Sequence, residues 1–443
     1  MMMRKLTGAT VLGAVGVIAL VAACGSSDTA GNGDCKPAST AGTTGNGEAG
    51  SKSGGGSDAQ GNGGEPATSN GGGNDGGQGG SGDGGSGSLP SGAIPAAPGA
   101  FTASNLPDDL DIQVDEDFII NGETCGEEAH IDTDMGTIDC SVPGAMPSFK
   151  FKIVEQADSS EVGVFAGKNI LIAPSVTVVV EGQRPLVLLA PGNVQINGTI
   201  KAIADSIYAD RANAGGFSAA KGEQVKGQGP GGGSGTSTEA GGGAFCGKGG
   251  KGGSASGAPG GVAYGTEELV PLLGGSSGGN GATGGVGGAG GGAVQVIAGG
   301  KLTLSATGVI HVGGAGGGWN GGGGGSGGAI LLEANEISVA GTLAANGGGG
   351  GEGDGVAGDS GLGASPDAVP APSGHGTTAT DDDGGEGSAA GTIDGSPGGS
   401  VSGGGGGGAG RIRLNSHSGV AQLTGVLSPA ADSACVSQGK LGG

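Results

Sequence analysis

Six cysteines, 4 histidines and 41 carboxylates are the groups of this chain most able to do chemistry, and their spacing decides what chemistry is open to them. A zinc site needs three or four thiolates, imidazoles or carboxylates at short, characteristic spacings. His130, His311, His375 and His417 stand singly and no CxxC occurs, so the expectation is no metal and no cofactor. The acidic stretch "GGGEGDGVAGDSG" (residues 349–361) and Asp381-Asp382-Asp383 invite a calcium reading, but they lack a tandem GGxGxD register and read as solvated acidic loop. Strings of the form GxGxxG follow by chance from 118 glycines, and no GxxxxGK[ST] occurs to hold a nucleotide. Outside the cytoplasm cysteines pair by default. Cys125 and Cys140 flank "GEEAHIDTDMGTID" and are close enough in sequence to clasp a short hairpin. Cys246 and Cys435 form the second candidate pair, and the fate of Cys35 is left open.

Cys24 stands apart. Arg4 and Lys5 precede an apolar stretch over 11–23, which is too short to span a bilayer and ends in Val21-Ala22-Ala23-Cys24. That ending resembles the lipobox of bacterial lipoproteins, in which the thiol accepts a diacylglycerol and becomes the mature N-terminus. The alternative is an ordinary secretory signal with a chance cysteine. Residues 1–23 are thus expected to be a signal peptide, Cys24 the lipidated residue, and the location the cell envelope. Gly25 follows without an aspartate, which favours the outer membrane, facing periplasm or cell surface. Residues 24–100 carry almost no apolar content and are expected to be a disordered tether, since they cannot offset the entropy of ordering. With a net charge of −23 the chain repels nucleic acid, which is excluded as a partner.

The elements that would position these groups are strands. An opening β region is expected over 101–160, where "SFKFKIV" alternates cleanly. From 161 to 443 a short unit recurs. Leu171-Ile172-Ala173-Pro174 and Leu188-Leu189-Ala190-Pro191 match at a spacing of 17, and further copies occupy 293–314, 329–348 and, loosely, 411–429. In the clear copies Val194 and Ile196, Leu302 and Leu304, and Ile337 and Val339 alternate with Gln195, Thr303 and Ser338, as on a strand with one apolar face. A unit this short buries its apolar face only by stacking, so the expected fold is all-β, a parallel β-helix or solenoid. Glycine-rich insertions are expected at about 203–290 and 347–410. Runs such as 321–325, 347–351 and 403–408 leave two readings open: flexible loop, or ordered polyglycine II whose bare backbones pack against one another.

The phrases "DFIINGETCGEEAHIDTD", "QRPLVLLAPGNVQINGTIKA", "GGGGGSGGAILLEANEISVAGTLAANGGGGG" and "GGGGGGAGRIRLN" resemble, over 117–415, a group of glycine-rich surface proteins of myxobacteria, often lipoproteins and some labelled PE-PGRS-like. The resemblance implies a β-helix-like architecture and an envelope location, and supplies no catalytic residues. The rival is a polysaccharide lyase or hydrolase, which needs calcium-binding acids with a basic residue, or two carboxylates at fixed separation. The outward positions Gln195, Asn197, Thr303, Ser305, Ser338 and Ala340 contain no carboxylate, and Trp319, Tyr208 and Tyr264 are the only Trp and Tyr. The expectation is therefore a non-enzymatic cell-surface lipoprotein with a structural, adhesive or matrix-contact role. Its partners would be a membrane, through the lipid, and an envelope or matrix polysaccharide or protein. The alternative is an extracellular polysaccharide-binding or polysaccharide-degrading protein.

Overall fold

The computed structural model describes residues 102–142, 146–203, 213–253, 257–353, 359–376 and 382–442. The expected signal peptide, Cys24, Cys35 and the tether lie outside these residues. Among the described residues there is no α-helix, and 18 strands form. In chain order they are β1 (Phe118–Ile120), β2 (Glu128–Asp132), β3 (Thr137–Cys140), β4 (Lys150–Glu155), β5 (Glu161–Ala166) and β6 (Ile170–Ile172). Then follow β7 (Thr177–Glu181), β8 (Leu186–Ala190), β9 (Val194–Ile196), β10 (Thr199–Lys201), β11 (Ala293–Leu304) and β12 (Val309–His311). The last six are β13 (Ala329–Val339), β14 (Thr342–Ala344), β15 (Arg411–Ser416), β16 (Gln422–Leu423), β17 (Val426–Ser428) and β18 (Val436–Lys440).

These strands correct the expected β-helix. They assemble into two mostly parallel sheets of 11 and 7 strands. The first runs β1-β6-β9-β11-β13-β15-β18, with β4, β5, β8 and β16 paired beside that path. The second runs β17-β14-β12-β10-β7-β2-β3. Two antiparallel ladders, β2 with β3 and β4 with β5, interrupt the parallel order. The 17-residue spacing also fails. Ile170 pairs with Val194, an offset of 24 residues, while Leu188 pairs with Phe165 on β5. The two Ala-Pro strings end β6 and β8, strands that share no ladder, so their likeness reflects similar strand ends and not one repeat. The alternating pairs do face one another: Leu302 and Leu304 stand opposite Val194 and Ile196 on one side and Ile337 and Val339 on the other.

Both sheets line one apolar core. Ile172, Ile196, Leu304, Val339 and Leu414 from the first sheet meet Val178, Ile200, Ile310 and Leu343 from the second. A second core covers the opposite face of β5, β8, β11 and β13. There Val164, Val187, Ile297 and Leu331 pack under Phe245, Leu269 and Leu272. Burial on both faces explains why β8 reads as the unbroken apolar run "LVLLA" rather than alternating. Within this core one carboxylate is buried: Glu333 on β13 accepts from Ser104 N and Oγ, Gln295 Nε2 and Asn415 Nδ2 at 3.1, 2.8, 2.7 and 3.1 Å. Four donors satisfy the charge and pin the segment around Ser104 to the sheet.

The glycine-rich segments are a packed body and not flexible loop. Residues 321–328, 347–353 and 402–410 are buried. Their backbone hydrogen bonds repeat every third residue. Gly404, Gly407 and Gly410 donate to Gly351, Gly348 and Ala345; Gly405 and Gly408 donate to Ala240 and Gly243; Gly406 and Ala409 donate to Ser396 and Ile393, all at 2.8–2.9 Å. Successive residues thus point to three different neighbours and return, the signature of an extended helix with about three residues per turn. Gly348 and Gly351 donate to Gly325 and Gly322, and Gly324 and Gly327 donate to Gly405 and Gly408, so the three runs close a triangle. Each donor reaches a carbonyl only because no side chain stands between the backbones. A Cβ on Gly348 would overlap the carbonyl of Ala315, and one on Gly406 the carbonyl of Glu386. The lattice feeds straight into the first sheet, where Ala329 N donates to Gly292 O and Arg411 N to Gly328 O at 3.0 and 2.9 Å.

Candidate functional site

The structure joins the four paired-cysteine candidates in two bridges. Cys125, in the turn before β2, meets Cys140 at the end of β3 with Cα atoms 4.4 Å apart. Cys246, whose amide donates to Ala409 O in the glycine lattice, meets Cys435 just before β18 at 5.7 Å. The second bridge straps the lattice to the last strand of the first sheet.

The histidines stay apart. His130 lies on the exposed face of β2 between Glu181 and Glu128, each 3.0 Å from a ring nitrogen. Burial works against its charge, but the hydrogen bonds to Glu181 and then Glu128 outweigh it and hold the imidazole above its ordinary range. His311 on β12 is buried, and Nε2 has no hydrogen-bond partner. Burial, then the Lys201 charge, push it down to about 4 against a smaller opposing pull from Asp367. His375 stands 3.3 Å from Asp383, and His417 is exposed at the end of β15. Among the described residues no three His, Cys, Asp or Glu come together to hold a metal ion. The acidic residues are not all solvated, as expected of a loop: Glu352 is buried in the lattice, and Asp382 accepts from Ser402 Oγ at 2.9 Å. Asp381 lies outside the described residues, as does Tyr208. The outward positions Gln195, Asn197, Thr303, Ser305 and Ser338 are half-buried, and Ala340 is exposed.

Among the described residues there is also a concavity that the sequence did not point to. A cleft of about 560 Å³ opens where the two sheets meet the glycine lattice. The sheets contribute Asp134 from the β2–β3 turn, Gln156 and Ser160 from the β4–β5 turn, Glu161 at the start of β5, and Gln183, Arg184 and Pro185 between β7 and β8. The glycine-rich segments contribute Phe217, Gln228 and Leu272. Arg184 is the centre of the polar wall. Its Nε and Nη2 donate to Glu161 Oε2 at 2.9 and 2.7 Å, and Nη1 donates to Asp134 Oδ1 at 2.9 Å. The hydrogen bond to Glu161 outweighs burial and raises the guanidinium further, so it stays charged. Gln156 is the buried clamp of the floor: Oε1 accepts from Leu272 N at 2.8 Å and Nε2 donates to Ser160 Oγ at 2.8 Å.

Arg184 lies 50 residues from Asp134 and 23 from Glu161, spacings set by the sheet order and matched to no motif. The only local signal was the pair of polar residues, Gln183 and Arg184, breaking an apolar run between "TVVVE" and "LVLLA". Comparison with protein-family models, with curated proteins and with solved structures gave no match.

Proposed function

We propose that this chain is a lipid-anchored protein of the cell envelope, held through Cys24 and serving a structural, adhesive or matrix-contact role without catalysing a reaction. The observation that carries the reading is the triangle of glycine runs, in which 321–328, 347–351 and 404–410 hydrogen-bond to one another in three directions. A body knit by main-chain bonds on every side, with no side chain to strip away, resists deformation and proteolysis, which suits a module displayed outside the cell. The lipobox-like "VAAC" and the polar stretch behind it supply an anchor and a reach.

The anchor is tested by Cys24→Ala, which is expected to move the protein from the detergent phase to the aqueous phase and to block processing after Ala23. Unchanged partition and size would overturn it. The role is tested by incubating the purified full chain with insoluble envelope and matrix polysaccharide. Retention without new reducing ends or unsaturated products is expected, and turnover would replace the reading by a degradative one.

A further inference from the structure

We propose that the cleft around Arg184 binds a neutral saccharide segment, an inference that rests on the matrix-contact reading above and gives it a chemical partner. Its volume of about 560 Å³ is in the range that holds a small ligand. The charges lining it are two carboxylates, Asp134 and Glu161, against one guanidinium. The excess negative charge, added to −23 over the whole chain, repels phosphates, sulfates and uronates. A purely apolar ligand fits no better, because it would strip water from these three ionised groups and from the amides of Gln183 and Gln228 without replacing it.

A hydroxyl group both donates and accepts, and the wall offers both roles side by side. Carboxylate oxygens accept, the guanidinium donates, and the two exposed glutamine amides do each. Phe217, half-buried, lines the same cleft and supplies an aromatic ring of the kind that packs against the C–H side of a pyranose. The wall is also held in place before any ligand arrives. Phe217 N donates to Gly275 O at 3.0 Å and Phe217 O accepts from Gly290 N at 2.9 Å. Gly229, at φ +88°, leaves room for the ring where a Cβ would strike its edge. Gln183 N donates to Asp134 Oδ2 at 2.9 Å, which fixes the carboxylate that in turn holds Arg184. Such preorganisation limits the ordering penalty of binding.

The test is calorimetric titration of the full chain with short neutral glucan and mannan oligosaccharides, with oligogalacturonate as the anionic comparison. Neutral oligosaccharides are expected to bind, and Gln183→Ala with Gln228→Ala to weaken them by about tenfold or more, equivalent to about 1.4 kcal/mol, at an unchanged melting temperature. Phe217→Ala is expected to weaken them similarly, and the exposed glutamine pair keeps the test valid if that variant folds poorly. Absence of binding to neutral oligosaccharides, tighter binding of the anionic one, or binding indifferent to the glutamine pair would overturn the proposal. Retention of the glutamine variant on whole matrix at the parent level would sink the cleft and leave matrix contact standing. Failure of the parent to be retained, with oligosaccharide titration intact, would sink matrix contact and leave the cleft.

Discussion

A single methyl group measures how tightly the glycine runs are packed. Gly348→Ala would press a Cβ into the Ala315 carbonyl, whereas the space around Gly122 is open, with nothing within 4 Å of a Cβ there. Gly348→Ala is expected to destabilise the fold by about 1–3 kcal/mol, as overpacking does elsewhere, and Gly122→Ala to leave it nearly unchanged. Paired thermal unfolding curves check this, and equal effects would mean that the lattice does not resist the methyl. His311 gives the second test at this scale. Its folded-state value of about 4 lies below the ordinary 6.5, so the unfolded chain takes up a proton that the folded chain refuses. Stability from this residue is therefore complete above pH 6.5 and is lost as the pH falls toward 4, by about 3 kcal/mol at 1.36 kcal/mol per pH unit. Denaturant unfolding at pH 7 and pH 4.5 is expected to show a smaller acid loss for His311→Gln than for the parent. An equal loss in both would remove His311 as a cause.

At the scale of elements, the threefold repeat of donors makes chain length in the glycine runs a quantised property. Deleting Gly406 alone would turn every later donor by a third of a turn, so that Gly407 and Gly408 no longer face Gly348 and Gly243. Deleting Gly405, Gly406 and Gly407 together shortens the run by one turn and restores the pointing. The single deletion is expected to lower the melting temperature more than the triple one, the reverse of what a flexible loop would show. None of this could be read from composition, because a run of identical residues carries no mark of which neighbour each amide will meet. The strands were another matter. Leu302, Leu304, Ile337 and Val339 announce their shared face by alternation, and their register follows it. Leu171 and Leu188 misled, because similar residues end β6 and β8 while the ladder is decided by partners 24 residues on. The Arg184 cleft was illegible for the same reason: only the sheet order brings Asp134 and Glu161 to one guanidinium.

The described residues form two large apolar cores joined to a mass of buried peptide groups, and the Cys246–Cys435 bridge ties one to the other across 189 residues of chain. The mixture has a thermal consequence. Exposing apolar surface raises the heat capacity of a protein and exposing polar surface lowers it, and together they give about 12–15 cal/mol/K per residue in ordinary domains. Here the lattice residues bury almost nothing but amide and carbonyl, so unfolding them offsets the contribution of the sheets. Scanning calorimetry is expected to give a heat-capacity increment per folded residue below that range, and a value inside it would mean that the lattice is not unfolding with the rest. A small increment flattens the curve of free energy against temperature. A protein so built would lose little stability on either warming or cooling, because its interior is largely main chain.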